Sequence, residues 1–218
     1  MFEISENLVI DVEIFQNSKI FIIDNFYKNP DVIFKYLFET PAPLFKNEDY
    51  PSYNGILFED RRLKKYDPRL NPVVDFLSLI VSEKPMEYKI TTNQARFYKN
   101  DFNNYKNHIW WPHLDEGYNG IVYFNKNDTE CGTNLYSQIT DRGEIDDYHN
   151  IPEHSAPWRR EEKYEKLKTL IPKFNRLILF DGYKFPHGMN IVNDAYFSEE
   201  YRCNQIFFFK RNTLDELK

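Results

Sequence analysis

Two stretches of the chain carry side chains that could hold a metal ion. His113 lies in WWPHLDEGYNG with Asp115 two residues on, and His187 lies in LILFDGYKFPHGMN, just beyond an apolar run. In an extended segment residues i and i+2 project to the same face, so the imidazole of His113 and the carboxylate of Asp115 can address one ion. A strand that delivers His187 beside the H-x-D segment would bring all three groups together. Two neutral imidazoles and one carboxylate on one face of an ion form the donor set of non-haem Fe(II), with three positions left open for co-substrate and oxygen. H-x-D alone is common by chance. A turn cap at His113 and a satisfied core position for His187 are the alternatives for each histidine taken singly. The order and chemistry of the surrounding segments favour the metal.

Other chemistry-bearing residues point less sharply. Trp110 and Trp111 precede the H-x-D and suit either an aromatic wall over the ion or core packing. Arg96 shares a strand face with Tyr98, where it would meet an anionic substrate or a surface carboxylate. His149 and His154 lie beside Asp146 and Asp147 in a charged loop, but their spacing matches no standard zinc motif, and His108 has no evident partner. Cys131 and Cys203 read as small buried apolar residues. No nucleophile elbow and no phosphate-cradling glycine loop occurs, and 7 glycines in 218 residues make glycine-dependent nucleotide folds improbable.

The elements that would position these residues are mostly strands. Residues 8–15 and 19–23 are β-branched and aromatic runs joined at Asn17-Ser18. Asn29-Pro30-Asp31 starts a helix, and a second helix is expected from Asn71 to Ser82 with Pro72 in its first turn. Residues 41–70, with four prolines, read as irregular but packed. Strands follow at 88–98, 120–125, 133–137, 176–180 and 202–209. The charged stretch 138–174 reads as an insert outside the core sheets at their open mouth. Trp158, Tyr164, Leu167 and Leu170 fall near helical spacing around EEKYEKLK, so 158–170 is expected to be helical. Many short strands fronted by two helices give a mainly β fold with flanking helices, an antiparallel double sheet such as a double-stranded β-helix, or jelly roll. One domain is expected over 1–218, with N-terminal strands and support helices at 1–86 and a core at 87–209 containing the insert.

Composition narrows the setting. Hydrophobic residues at 41% and charged residues at 28% are ordinary globular values, and Phe 19, Tyr 16 and Trp 3 supply an aromatic-rich core. With 28 basic against 34 acidic residues, net charge −6, there is no basic stripe for duplex nucleic acid. The densest basic group, Arg61, Arg62, Lys64 and Lys65, reads as a solvated turn. No apolar run approaches the roughly 18 residues of a membrane span. The acidic start MFEISENLVIDVEIF lacks a basic n-region, and two cysteines build no disulfide framework, so a soluble, reduced, cytoplasmic protein is expected.

Taken together, ARFY (95–98), HLD (113–115), GIVYFN (120–125), CGTNLY (131–136), NRLILFDGYKFPHG (175–188) and RCNQIFFF (202–209) resemble, in order, the Fe(II)/2-oxoglutarate-dependent dioxygenases of the prolyl-hydroxylase-like branch. FNRLILFDG…H followed by R-x-N-Q-x-FFF is more closely similar to a set of uncharacterised bacterial members of that superfamily. The resemblance implies His113, Asp115 and His187 as iron ligands and 2-oxoglutarate as co-substrate. It places Arg202 on the distal carboxylate of 2-oxoglutarate, where a planar guanidinium can make two parallel hydrogen bonds. It also places Tyr98 and Tyr123 along the co-substrate pocket, with Asn204 on the strand face of Arg202. The reaction implied is hydroxylation of a substrate with release of succinate and CO2. A non-catalytic or 2-oxoglutarate-independent, cupin-like metal-binding jelly roll is the alternative. Two features depart from the family pattern: fifteen residues rather than about ten separate His187 from Arg202, and a single Gly132 stands for a glycine pair.

Overall fold

The computed structural model describes residues 1–39, 59–64, 68–81, 91–96, 109–110, 112–126, 132–138, 158–159, 164–190 and 202–209. Strands β1 (Val9–Phe15) and β2 (Ser18–Asp24) form a hairpin in which Phe15 pairs with Ser18. Its two-residue turn is Gln16-Asn17, one residue earlier than the sequence suggests. Both residues have positive φ, 45° and 59°, as a turn matched to the right-handed twist of a hairpin requires. Helix α1 (Pro30–Glu39) follows Asn29, with Pro30 in its first turn and Asp31 at the positive end of its dipole. It buries Ile33 and Leu37. Helix α2 (Asn71–Val81) buries Val73, Val74 and Leu77.

Between the helices lies β3 (Glu59–Lys64), where an irregular stretch was expected. Arg61, Arg62 and Lys64 are therefore strand residues rather than a solvated turn. The register of β3 with β4 (Thr91–Arg96) places it at one edge of the larger sheet, a position that tolerates charge and that charge protects from further pairing. The remaining strands are β5 (Ile109–Trp110), β6 (Tyr118–Tyr123), β7 (Gly132–Gln138), β8 (Trp158–Arg159), β9 (Tyr164–Leu170), β10 (Arg176–Asp181), β11 (His187–Asn190) and β12 (Arg202–Phe208). The larger sheet runs β1-β2-β10-β6-β12-β4-β3, a smaller one runs β11-β7-β9, and β5 pairs with β8. Every strand pairing among the described residues is antiparallel.

The central strands β6 and β10 of the larger sheet are buried on both faces, which explains why they read as unbroken apolar runs. Val122, Phe124, Leu177, Leu179 and Phe207 face the helices and pack with Ile33, Leu37, Val74 and Leu77. Ile121, Tyr123, Ile178 and Phe180 face the other way and pack with Leu135 and Leu170 of the smaller sheet. The space between the sheets is where the candidate site forms.

The helix expected over 158–170 is not formed: residues 158–159 and 164–170 are strands. β9 pairs with β7, so this part of the 138–174 segment belongs to a sheet instead of lying outside it. The register slips between Leu135 and Tyr136, which pair with Lys168 and Lys166, so Leu167 is an extra residue on β9. That bulge converts the even spacing of a strand into a spacing of three. Tyr164 packs against Tyr136 (ring centroids 6.0 Å apart), while Leu167 and Leu170 join the core between the sheets. A bulged strand thus imitates helical periodicity in sequence.

An ion pair ties the hairpin to the start of β10. Arg176 donates from Nε to Asp24 Oδ1 (2.7 Å) and from Nη2 to Oδ2 (3.0 Å), and Lys173 Nζ adds a third bond at 3.0 Å. The Arg176 hydrogen bonds hold the Asp24 carboxyl below its ordinary range against the opposing effect of burial, with Lys173 assisting. The pair is about four-fifths shielded from solvent. Asp24→Asn is expected to cost about 1.5–3 kcal/mol at neutral pH, the scale of hydrogen bonds to charged groups. Because the folded value is depressed, that contribution is present above the unfolded carboxyl value of about 3.9 and lost as pH falls through the folded value. Urea unfolding of both proteins at pH 7 and again below pH 4 checks this: the gap between them should narrow in acid.

Candidate metal centre

Three backbone arrangements deliver the candidate ligands. His113 and His187 face each other in an antiparallel bridge, with His113 N–H donating to His187 O (3.0 Å) and His187 N–H donating to His113 O (2.9 Å). Asp115 N–H donates to Gly182 O at 2.9 Å, which anchors the H-x-D segment to the end of β10. The turn from β10 into β11 is closed by Asp181, whose Oδ1 accepts from the Tyr183 and Lys184 amides (3.1 and 3.0 Å) and whose carbonyl accepts from Phe185 N–H. Asp181 therefore makes the sharp return that brings His187 back beside His113.

The side chains converge as the sequence implies. One ligand atom from each of His113, Asp115 and His187 lies within 4.8 Å of the others. Asp115 Oδ2 is 3.2 Å from His187 Nε2 and 3.9 Å from His113 Nε2, and the two imidazole centroids are 4.4 Å apart. Exposure is graded: the His187 side chain is 6% exposed, Asp115 22% and His113 42%, so the cluster opens to solvent on the His113 side. The Phe180 and His187 rings meet edge to face, with centroids 4.9 Å apart, and Phe180 closes the inner side.

The donor set fits a divalent metal. His187 Nδ1 lies 3.1 Å from the Phe185 carbonyl, a contact that places the proton on Nδ1 and leaves the Nε2 lone pair facing Asp115. Burial alone would raise the Asp115 carboxyl. Protonated imidazoles, by the His187 hydrogen bond and the charges of His187 and His113, would outweigh it together with the Asn119 amide and hold the group well below the usual range. A bound cation would take over that role from the protons it displaces. The cluster thus offers an ionised carboxylate and an imidazole nitrogen with its lone pair directed inward, as first-row divalent ions require.

Asn119 of β6 was not singled out in sequence. Its Nδ2 donates to Asp115 Oδ2 and lies 2.9 Å from His187 Nε2. The only trace in the sequence is a polar residue on the inward phase of an apolar strand, four positions after Asp115.

The implied co-substrate residues fall differently. Tyr123 is fully buried between the sheets, its hydroxyl paired with Thr133 Oγ1 of the smaller sheet at 2.8 Å. Asn204 is also fully buried and pairs in register with Tyr123. Arg202 heads β12 opposite Ala95, two residues before Asn204. Its side chain lies outside the described residues, as do Tyr98, His108, Trp111, Cys131, His149 and His154 and the side chains of Arg96, Trp110 and Cys203. Gly132 is required where it stands, because a Cβ there would meet the Leu170 carbonyl oxygen at 2.1 Å. Among the described residues no helix is long and apolar enough to cross a membrane.

No family model matches the chain, and no curated protein matches it. Among solved structures it is similar to an N-substituted L-amino acid dioxygenase from Burkholderia ambifaria AMMD, at 13% identity and a TM-score of 0.42, over 90% of this chain and 84% of that one. It is also similar to an N-substituted L-amino acid dioxygenase from the same organism in complex with alpha-KG, at 14% identity and a TM-score of 0.45, over 90% of this chain and 83% of the other.

Proposed function

We propose that the chain is a non-haem Fe(II)- and 2-oxoglutarate-dependent dioxygenase of the prolyl-hydroxylase-like branch, built on a jelly roll and hydroxylating an organic substrate. The observation that carries the reading is the meeting of His113, Asp115 and His187 between the sheets, with their ligand atoms within 4.8 Å. The jelly-roll reading is supported by strand order: β4, β6, β10 and β12 fall in the larger sheet, while the intervening β7, β9 and β11 fall in the smaller.

Under this reading the three side chains hold the metal, and the graded exposure decides from which side it is reached. His187 and Phe180 form the closed inner wall, and His113 lies at the solvent side. Bound Fe(II), with 2-oxoglutarate and oxygen, supplies the oxidising power for C–H hydroxylation, with succinate and CO2 as co-products. The chain orients the co-substrate. Arg202, with Tyr98 and Tyr123, would hold its distal carboxylate, and Asn204 would line the pocket beside Tyr123. The Tyr123 hydroxyl would exchange its bond to Thr133 for one to that carboxylate.

Two measurements test the reading. Anaerobic titration with Fe(II) should give one ion per chain, and 2-oxoglutarate should then bind the loaded protein and yield succinate under oxygen. Absence of metal uptake at micromolar concentrations overturns it. Metal uptake with no 2-oxoglutarate binding instead favours a cupin-like metal site.

A further inference from the structure

Asn119 is 1% exposed and stands on the inward phase of β6, between Phe208 and Phe180 on the neighbouring strands. A buried amide normally uses both its donors and its acceptor. Here Nδ2 reaches Asp115 Oδ2 and His187 Nε2, while Oδ1 is buried and finds no partner among the described residues. Turning the amide over would set an oxygen against the Asp115 carboxylate, acceptor against acceptor, so the donor-first orientation is the favoured one. The space is shaped for it as well: a Cβ on Gly182 would come within 2.8 Å of Asn119 Nδ2 and 3.0 Å of both its Cγ and the Gly117 carbonyl oxygen.

We infer that Asn119 is a positioning residue for the metal ligands, a role that rests on the metal-binding reading above: its N–H pair holds the Asp115 carboxylate and the His187 imidazole together at the spacing an ion needs. The two ligand atoms are 3.2 Å apart. Adjacent ligands at right angles on an ion with bonds of about 2.1 Å are separated by about 3.0 Å, so little movement is required on loading. In the metal-free protein the polarised N–H groups offset the negative charge that the ion would neutralise. His187 Nε2 has one lone pair, so its contact with the amide is given up when an ion binds. The carboxylate oxygen has a second lone pair, so the Asp115 bond persists and keeps that oxygen aimed at the ion.

The test uses Co(II) as probe, added anaerobically to the full chain and followed by calorimetry and visible absorption. Asn119→Leu keeps the volume and removes both donors, and Asn119→Ala serves if the leucine variant does not fold. Metal-free thermal unfolding and far-UV circular dichroism establish that a variant is folded. Cobalt affinity is expected to fall 10–100-fold, the range for lost partners of metal ligands, with a shift of the ligand-field bands as Asp115 reorients. Gly182→Ala, which displaces the amide without removing a ligand, should move both readouts the same way. Folded Asn119 variants that bind within twofold of wild type with unchanged bands overturn the inference while leaving the metal site standing. If wild type binds no cobalt, the metal reading itself fails and this role falls with it.

Discussion

His187→Ala is expected to abolish stable metal binding, with affinity falling well beyond the roughly hundredfold limit for partners that only support a ligand. Three features make this the most damaging single change at the site. His187 is the most buried of the three candidate ligands, its Nδ1 is engaged by the Phe185 carbonyl, and its Nε2 is the nitrogen nearer to Asp115. The change should spare the backbone bridge to His113, which uses main-chain atoms alone. Thermal unfolding with and without Co(II) gives the check. An ion held at one hundred times its dissociation constant stabilises the native state by about 2.7 kcal/mol, so wild type should melt higher with metal. The alanine variant should show no such shift. A variant that still gained the full shift would place the metal elsewhere in the chain and remove the basis of the oxygenase reading.

The site was more legible in the sequence than the elements around it. H-x-D needs only an extended backbone to place His113 and Asp115 on one side, and the apolar run before DGYKFPH marks the strand that returns His187 to them. Asn119 was hidden because its role depends on non-local placement: the turn at Gly182 brings the backbone under Asp115 and leaves room for the amide. Pairwise spacing along the chain carries no trace of that. The helices were legible from Asn29-Pro30-Asp31 and Asn71-Pro72, where a start signal and an apolar face agree. β9 was not, because its bulge at Leu167 shifts the phase of burial midway and lets a strand borrow the spacing of a helix. β3 is hidden in the sequence for a related reason. Charge in EDRRLK suggests a solvated turn, yet an edge strand tolerates charge as readily. The Tyr123–Thr133 contact links the two sheets and could not be read from either strand alone.

Arg202→Ala is expected to remove about 2–5 kcal/mol of 2-oxoglutarate binding from the metal-loaded protein, the scale for truncating one partner of a desolvated charge pair. Every 1.4 kcal/mol is tenfold, so affinity should drop at least about thirtyfold. Arg202 heads β12, and the next two polar residues of that strand, Asn204 and Gln205, are wholly buried. Asn204 lies opposite Tyr123, whose hydroxyl sits between the sheets within reach of Thr133. A 2-oxo acid that extended inward from the ligand cluster would bring its distal carboxylate toward this polar group. Arg202→Lys keeps the charge but loses the fork that makes two parallel bonds, so it should fall between wild type and alanine. Tyr123→Phe should cost less than either, since it removes one neutral donor and leaves the guanidinium in place. Cobalt affinity without co-substrate should be unchanged in all three, which separates loss of the carboxylate partner from damage to the metal ligands. Calorimetry with 2-oxoglutarate on the cobalt-loaded proteins gives the order directly. If the alanine variant bound 2-oxoglutarate as tightly as wild type, the co-substrate assignment would lose its charged anchor. The His-Asp-His cluster would then be better read as a metal site that works without a 2-oxo acid.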